Sequence, residues 1–365
     1  MKNSFGNNLK ITLFGESHGE YIGAVLDGLS PGIKIDEEYI KAKLSLRRPS
    51  GKISTARVEA DEYSIVSGAF NGYTTGTPLC ILIPNTNKKS SDYSKMLDIP
   101  RPGHADFTAR EKYHGFEDYR GGGHFSGRVT AALVAAGAIL ASALESSGIK
   151  IGSHITELHG AFDRGFEDIE SDINFVNTRQ FPTLTDAAEE RMKKEIEKAA
   201  ERGDSVGGIL ESAVIGLPRG LGEPWFDSVE SMLAHALFSV PGVKGVEFGL
   251  GFAFADVYGS EGNDAFVVRD GRVVTETNNN GGINGGITNG MPIIFRTSIK
   301  PTPSIFKEQT SVSLSEMKEV SLKLEGRHDP AIIHRARAVV DAVAAIVVAD
   351  LLIGRYGTDY LATKE

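Results

Sequence analysis

Residues 129–144 read VTAALVAAGAILASAL, and residues 338–353 read AVVDAVAAIVVADLLI. Both patterns stay apolar nearly all the way round a helix, with small side chains throughout, as in helices that have protein on every side. The first falls short of the ~20 apolar residues a bilayer span needs, and Asp341 and Asp350 interrupt the second. Neither reads as a membrane helix. Around them the chain supplies strands. EYSIVSGAF (62–70) and YTTGTPLCILI (73–83) flank Asn71-Gly72, while AFVVRDGRVVTET (265–277) turns at Asp270-Gly271; both are hairpin signals. KITLF (10–14) and EYIGAVLDG (20–28) read as two further strands. Surface-type helices are fewer. One covers 185–202 and stops at Gly203; another, capped by Asp227 with Glu230, runs to about Ser239. The expectation is an α+β fold: antiparallel sheets with the two small-residue helices sandwiched between them. One large domain spans 1–365, with 330–353 as the second buried helix.

The bulk numbers bound the function. A 365-residue chain with 41% hydrophobic and 24% charged residues is an ordinary globule. A net charge of −9 argues against non-specific nucleic-acid binding. The single cysteine, Cys80, excludes an intrachain disulfide and a Cys-rich zinc site, and it fits a reducing compartment such as the cytoplasm. The start, MKNSFGNNLK, has no apolar run of the secretory kind. Against that acidic background, KAKLSLRRPSGKISTAR (41–57) carries six cations and no acid. It is either a solvated basic face or a landing site for a polyanion.

Gly15-Glu16-Ser17-His18-Gly19 fits the G-x-S-x-G nucleophile elbow, but in a chain with 42 glycines such a match says little. The elbow needs a helix after the serine, and EYIGAVLDG reads as a strand. A serine hydrolase using Ser17 is therefore the weaker reading. His18, between small residues where two strands meet, is placed to donate a proton to an anionic group. His104 follows Pro102-Gly103, a turn that would present its ring. His104, His114 and His124 have no metal-ligand spacing, so no metal is expected. Gly121-Gly122-Gly123 leads through Ser126 into the first buried helix; its amides could bind an anion, or Ser126 could simply cap the helix. Asp329 before Pro330 has the pattern of a helix cap. Lys300, beside Pro301 and Pro303, is either a phosphate contact or part of a stiff loop. Dinucleotide and P-loop fingerprints are missing. From residues alone, a non-catalytic anion-binding protein remains the second alternative.

Several of these stretches together carry a resemblance. FGESHG (14–19), RRP (47–49), SGAFNGYTTGTP (67–78), RPGHAD (101–106), YRGGG (119–123), GLGEP (220–224), VKGVEFG (243–249), NGGINGGITNG (280–290), KPT (300–302) and GRHDP (326–330) stand in the order of the chorismate synthase family, which the chain resembles from about Phe5 to Ile353. The resemblance implies conversion of 5-enolpyruvylshikimate 3-phosphate to chorismate and phosphate by anti 1,4-elimination. It implies reduced FMN without net redox change, a homotetramer, and a source of reduced flavin, either NAD(P)H or a separate flavin reductase. It also implies roles. His18 would act near the leaving phosphate, His104 near the flavin, and Asp329 near the flavin N5. Arg47, Arg48, Lys52 and Arg128 would clamp the substrate. His124, Phe125, Ser126, Gly285, Lys300, Pro301, Thr302, Pro303, Ser304 and Arg327 would hold the cofactor. The chain departs from the family pattern at His124-Phe125, where Arg-Ser is common, and at Lys52, where an arginine is expected. Pro241-Gly242 replaces an Asn-Ala type pair, and Asp341 replaces a glutamate.

Overall fold

The structure, a computed structural model, describes residues 2–49, 53–54, 61–86, 97–326 and 328–363. Lys52 and Arg327 lie outside the described residues, as does most of the second half of the basic segment. Two five-stranded antiparallel sheets enclose the two central helices. The first orders its strands Ser4–Phe5, Lys10–Gly15, Tyr21–Asp27, Leu79–Pro84, Ser64–Ser67; the second, Val243–Phe248, Ile293–Ile299, Gly208–Ile215, Lys150–Leu158, Ala161–Phe162. Both apolar segments are helices between them, Thr130–Ser146 against the first sheet and Ile333–Tyr356 against the second. The α+β sandwich is therefore present, with one continuous apolar cluster running through its middle.

Burial along the strands follows from this layering. In Leu79–Pro84, buried and half-buried residues alternate, because only one face of the first sheet meets the helices. Lys150–Leu158 is buried for five consecutive residues. Helix Ile333–Tyr356 contacts this strand, and so does helix Ile169–Asn177, whose Ile173 lies against Gly152. The two central helices need small residues for a similar reason. A Cβ on Gly137 would come within 2.5 Å of the Ala342 Cβ, so any side chain there would push the helices apart. By length and apolarity Gly127–Ser146 could cross a membrane, yet most of it is buried within this sandwich.

The interrupting acids have structural uses. Asp350 accepts hydrogen bonds from the backbone N–H groups of Asn7, Asn8 and Leu9, tying the N-terminal turn to the central helix. Asp341 accepts one from Ser153 on the second sheet. Both turn-based hairpins form, with positive φ at Asn71, Gly72, Asp270 and Gly271. The surface helix expected over 185–202 is present as Asp186–Glu201, with Thr185 as its N-cap.

Two helix starts differ from expectation. Helix Val229–Phe238 is capped by Ser228, whose side chain accepts from the Ser231 N–H, not by Asp227. The second central helix begins at Ile333 instead of 330, with no side-chain cap, so Asp329 is not its N-cap. The Pro330 carbonyl accepts from the Val206 N–H across to another segment, which keeps Pro330 out of the helix.

His334, at the start of that helix, is buried against Phe181 and bonded to Ser54. Burial, helped by Arg335 and Lys193, pushes its pKa from 6.5 down to about 3. Between those two values the unfolded chain binds a proton that the folded chain does not, so acid destabilises the fold in that window. The expected slope is about 1.4 kcal/mol per pH unit, with no contribution above pH 6.5. Denaturant titrations from pH 7 to pH 3 should show His334→Gln losing this share of the slope; an unchanged slope would assign it to other groups.

Candidate active site

Of the residues singled out by sequence, His18, His104, Arg47, Ser126 and Arg128 lie where the first sheet meets the start of the first central helix. His18 lies in the turn Glu16–Gly19 between strands Lys10–Gly15 and Tyr21–Asp27. A strand follows Ser17, so the hydrolase elbow is absent. Ser17 is buried, and its Oγ lies 2.9 Å from His18 Nδ1 and 3.2 Å from the Gly121 carbonyl. It anchors the imidazole. Sequence alone offers Ser17 only the weak hydrolase match, because its neighbour Gly121 is 104 residues away.

His104 is presented by the Pro102-Gly103 turn, which its own N–H closes onto the Arg101 carbonyl. Its Nδ1 lies 2.6 Å from Asp106 Oδ1, and the same carboxylate takes a fork from Arg101 at 2.7 and 2.8 Å. Burial alone would raise the Asp106 carboxyl pKa. The hydrogen bonds from Arg101 and His104 outweigh it and hold the group well below the usual carboxylate range. Asp106 and Arg101, both inside the RPGHAD motif, thus fix the ring that sequence reading singled out by itself.

The glycine triplet explains how the two histidines come together. All three glycines have positive φ. A Cβ on Gly121 would fall 2.3 Å from the His18 ring, and one on Gly122 would fall 3.0 Å from the His104 ring. The triplet is a thin wall with one imidazole against each of two successive residues. Ser126 caps the short turn Gly127–Val129 by accepting from the Arg128 N–H. His124 bonds the Gly15 carbonyl through Nδ1, 2.8 Å, and Phe125 packs edge-on against Tyr113.

The cations are arranged less simply than their sequence suggests. Lys41 pairs with Glu38, one turn earlier on helix Glu37–Arg47, and Lys43 covers the Tyr39 ring. Lys41, Lys43 and Arg47 therefore do not share one basic face, because the helix turns successive cations in different directions. Arg47 points inward and shares the fully buried Asp61 carboxylate with Arg128. Arg47 also donates to Thr130 Oγ1 and the Gly127 carbonyl, and Arg128 to Asn85 Oδ1 and the Pro84 carbonyl. With two guanidinium groups around it, Asp61 balances charge that would otherwise be stranded in the interior; removing one member of such a buried set costs about 3–5 kcal/mol. Arg335 bridges to this group, donating to the Arg47 carbonyl at 2.7 Å and to Asp329 Oδ2 at 2.6 Å. Asp329 is thus placed beside the clamp.

Lys300 reaches the Gly103 carbonyl, and Ser304 Oγ accepts from Arg101, so the 300–304 segment borders the His104 loop. Burial, with Lys244 adding to it, lowers the Lys300 ammonium pKa. Pro301 packs against Gly207, and Pro303 against Gly103. Thr302 Oγ1 and His328 Nε2 are buried there with no hydrogen-bond partner among the described residues, which suits a polar ligand along this edge. Gly285 sits elsewhere, in a hairpin whose next residue, Gly286, packs on Ser228 and Glu223. Two clefts of about 500 and 590 Å³, bordered by Tyr39 and Gln180 and by His159 and Lys198, hold none of the predicted site residues.

A family model described as chorismate synthase matches residues 9–353. The chain is 50% identical to the chorismate synthase of Thermococcus gammatolerans over 350 residues, 96% of this chain and 97% of that one. It is also 50% identical to that of Pyrococcus abyssi over 351 residues, with the same coverage. A solved structure titled "Crystal Structure of Chorismate Synthase" superposes with a TM-score of 0.75 at 29% identity, covering 98% of this chain and 95% of that one. Matched nearly end to end in sequence and in fold, the chain belongs to the chorismate synthase family.

Proposed function

We propose that the two-histidine wall and its arginine surround carry out the family's reaction, the conversion of 5-enolpyruvylshikimate 3-phosphate to chorismate and phosphate in the shikimate pathway. The observation that carries this reading is the seating of His18 and His104 on successive glycines, beside buried arginines. The substrate brings a phosphate monoester and two carboxylates, about four negative charges at pH 7. Such a ligand needs fixed guanidinium donors to replace its lost water. Arg47, Arg48, Lys52 and Arg128 are assigned to that task.

The proton steps follow from position. His18, held through Nδ1 by Ser17, gives one proton from Nε2 to the departing phosphate, which then leaves as HPO4²⁻ instead of the far more basic PO4³⁻. His104, oriented by Asp106, holds a proton toward the cofactor edge. Asp329, fixed by Arg335, is the carboxylate that helps remove the ring proton. Reduced FMN, when bound, lends electron density to the breaking C–O bond without net redox change. His124, Phe125, Ser126, Gly285, Lys300, Pro301, Thr302, Pro303, Ser304 and Arg327 are assigned to holding it. The unpartnered Thr302 Oγ1 supports this, as does the lysine at the segment's start.

The same reading places the enzyme in the cytoplasm as a homotetramer, supplied with reduced flavin by NADPH or by a separate reductase. Exposed Phe266, Val268 and Phe252 give it apolar surface to bury on assembly. Anaerobic incubation tests the function. Phosphate should appear only when the substrate and reduced FMN are both present; release with oxidised FMN or with none would contradict the reading. Replacing reduced FMN by FMN with NADPH asks whether the chain reduces its own flavin.

A further inference from the structure

We propose that Asn85 is a positioning residue for His18. The inference rests on His18 being the acid of the reaction described above. Asn85 directly follows strand Leu79–Pro84 and is 7% exposed. Its amide Nδ2 donates to two carbonyls, Glu16 at 2.9 Å and Gly19 at 3.1 Å. Those are the two ends of the turn that carries Ser17 and His18. The Asn85 backbone N–H donates to the next carbonyl, Glu20, at 3.0 Å. On its other side, Oδ1 accepts from Arg128 Nε at 3.0 Å.

Both N–H groups of the amide and its oxygen are therefore used, each by a partner of the opposite kind. Rotating the amide by half a turn would set oxygen against two carbonyls and N–H against a guanidinium N–H. Only an amide of this length satisfies the site. Other ties of the turn include Gly19 N–H to the Glu16 carbonyl, Ser17 N–H to the Gly123 carbonyl, and Ser17 Oγ to the Gly121 carbonyl. Asn85 joins that turn to Arg128, which is locked to Asp61 in the interior. A group assigned to the substrate's anions is thereby coupled to the group assigned to its leaving phosphate.

A residue that only filled space would tolerate Asn85→Asp, nearly the same shape, better than Asn85→Ala, which opens a void. The positioning role reverses that order. Aspartate turns an acceptor against two carbonyls, whereas alanine merely omits the donors. The expected result for Asn85→Asp is a fall in kcat of about a hundredfold with substrate KM within about threefold of the parent, and a fall of about tenfold for Asn85→Ala. The second readout is the ¹⁵N signal of the His18 ring, assigned by its disappearance in His18→Gln. It should move in both variants, whatever their turnover. Alanine as damaging as aspartate or more so, with His18 signals where the parent has them, would overturn the proposal. Should the His18 signals move while kcat holds, Asn85 still positions the turn, and it is the assignment of His18 as the acid that fails.

Discussion

Gly121→Ala should cut turnover about a hundredfold or more while leaving the protein folded. The backbone at Gly121 has φ +60, where an L-residue pays about 1–2 kcal/mol. That strain is modest; the contact is not. The new Cβ would lie 2.3 Å from His18 Cε1, 2.4 Å from Nδ1 and 2.5 Å from Ser17 Oγ. No flexible side-chain end is available to yield, because both residues are buried and bonded to each other. The imidazole or the wall must move by more than an ångström. Steady-state kinetics and thermal unfolding of the variant separate the two effects. Gly271→Ala is the control, with φ +70 and nothing within 4 Å of a Cβ. It should show the strain penalty and full turnover. A Gly121→Ala enzyme as active as this control would mean that the wall does not set the position of His18.

The parts of this molecule that are legible in its sequence are those governed by local chemistry. Asn71-Gly72 and Asp270-Gly271 turn because both residues of each pair accept positive φ. The two buried helices declare themselves by small apolar residues on every side, and the sandwich follows from having to cover them. His18 and His104 stand in short loops whose composition singles out their imidazoles, although the structure buries His18 where its small neighbours suggest a reachable ring. What is not legible depends on partners distant along the chain. Asp61 is the charge that organises Arg47 and Arg128, yet it lies 14 and 67 residues from them. The cap pattern at Asp329 is locally sound and fails because Val206 claims the Pro330 carbonyl. Counting cations over 41–57 gives their sum but not their directions, and a helix sends Lys41 outward and Arg47 inward. The glycine triplet illustrates the same limit. Its sequence suggests amides facing an anion, while the structure adds a steric reason, two rings against two missing Cβ atoms.

The most direct test of the account is His18→Ala, measured for phosphate release at saturating substrate and, separately, for substrate affinity by equilibrium binding. A general acid acts on the departing group in the transition state, so its loss should slow turnover by about 10²–10⁴-fold. Affinity should change by no more than a few-fold, because the assigned anion contacts come from Arg47, Arg48, Lys52 and Arg128. Turnover reduced with affinity preserved is the predicted result. Equal loss of both would reduce His18 to a binding contact, and undiminished turnover would remove it from the chemistry altogether.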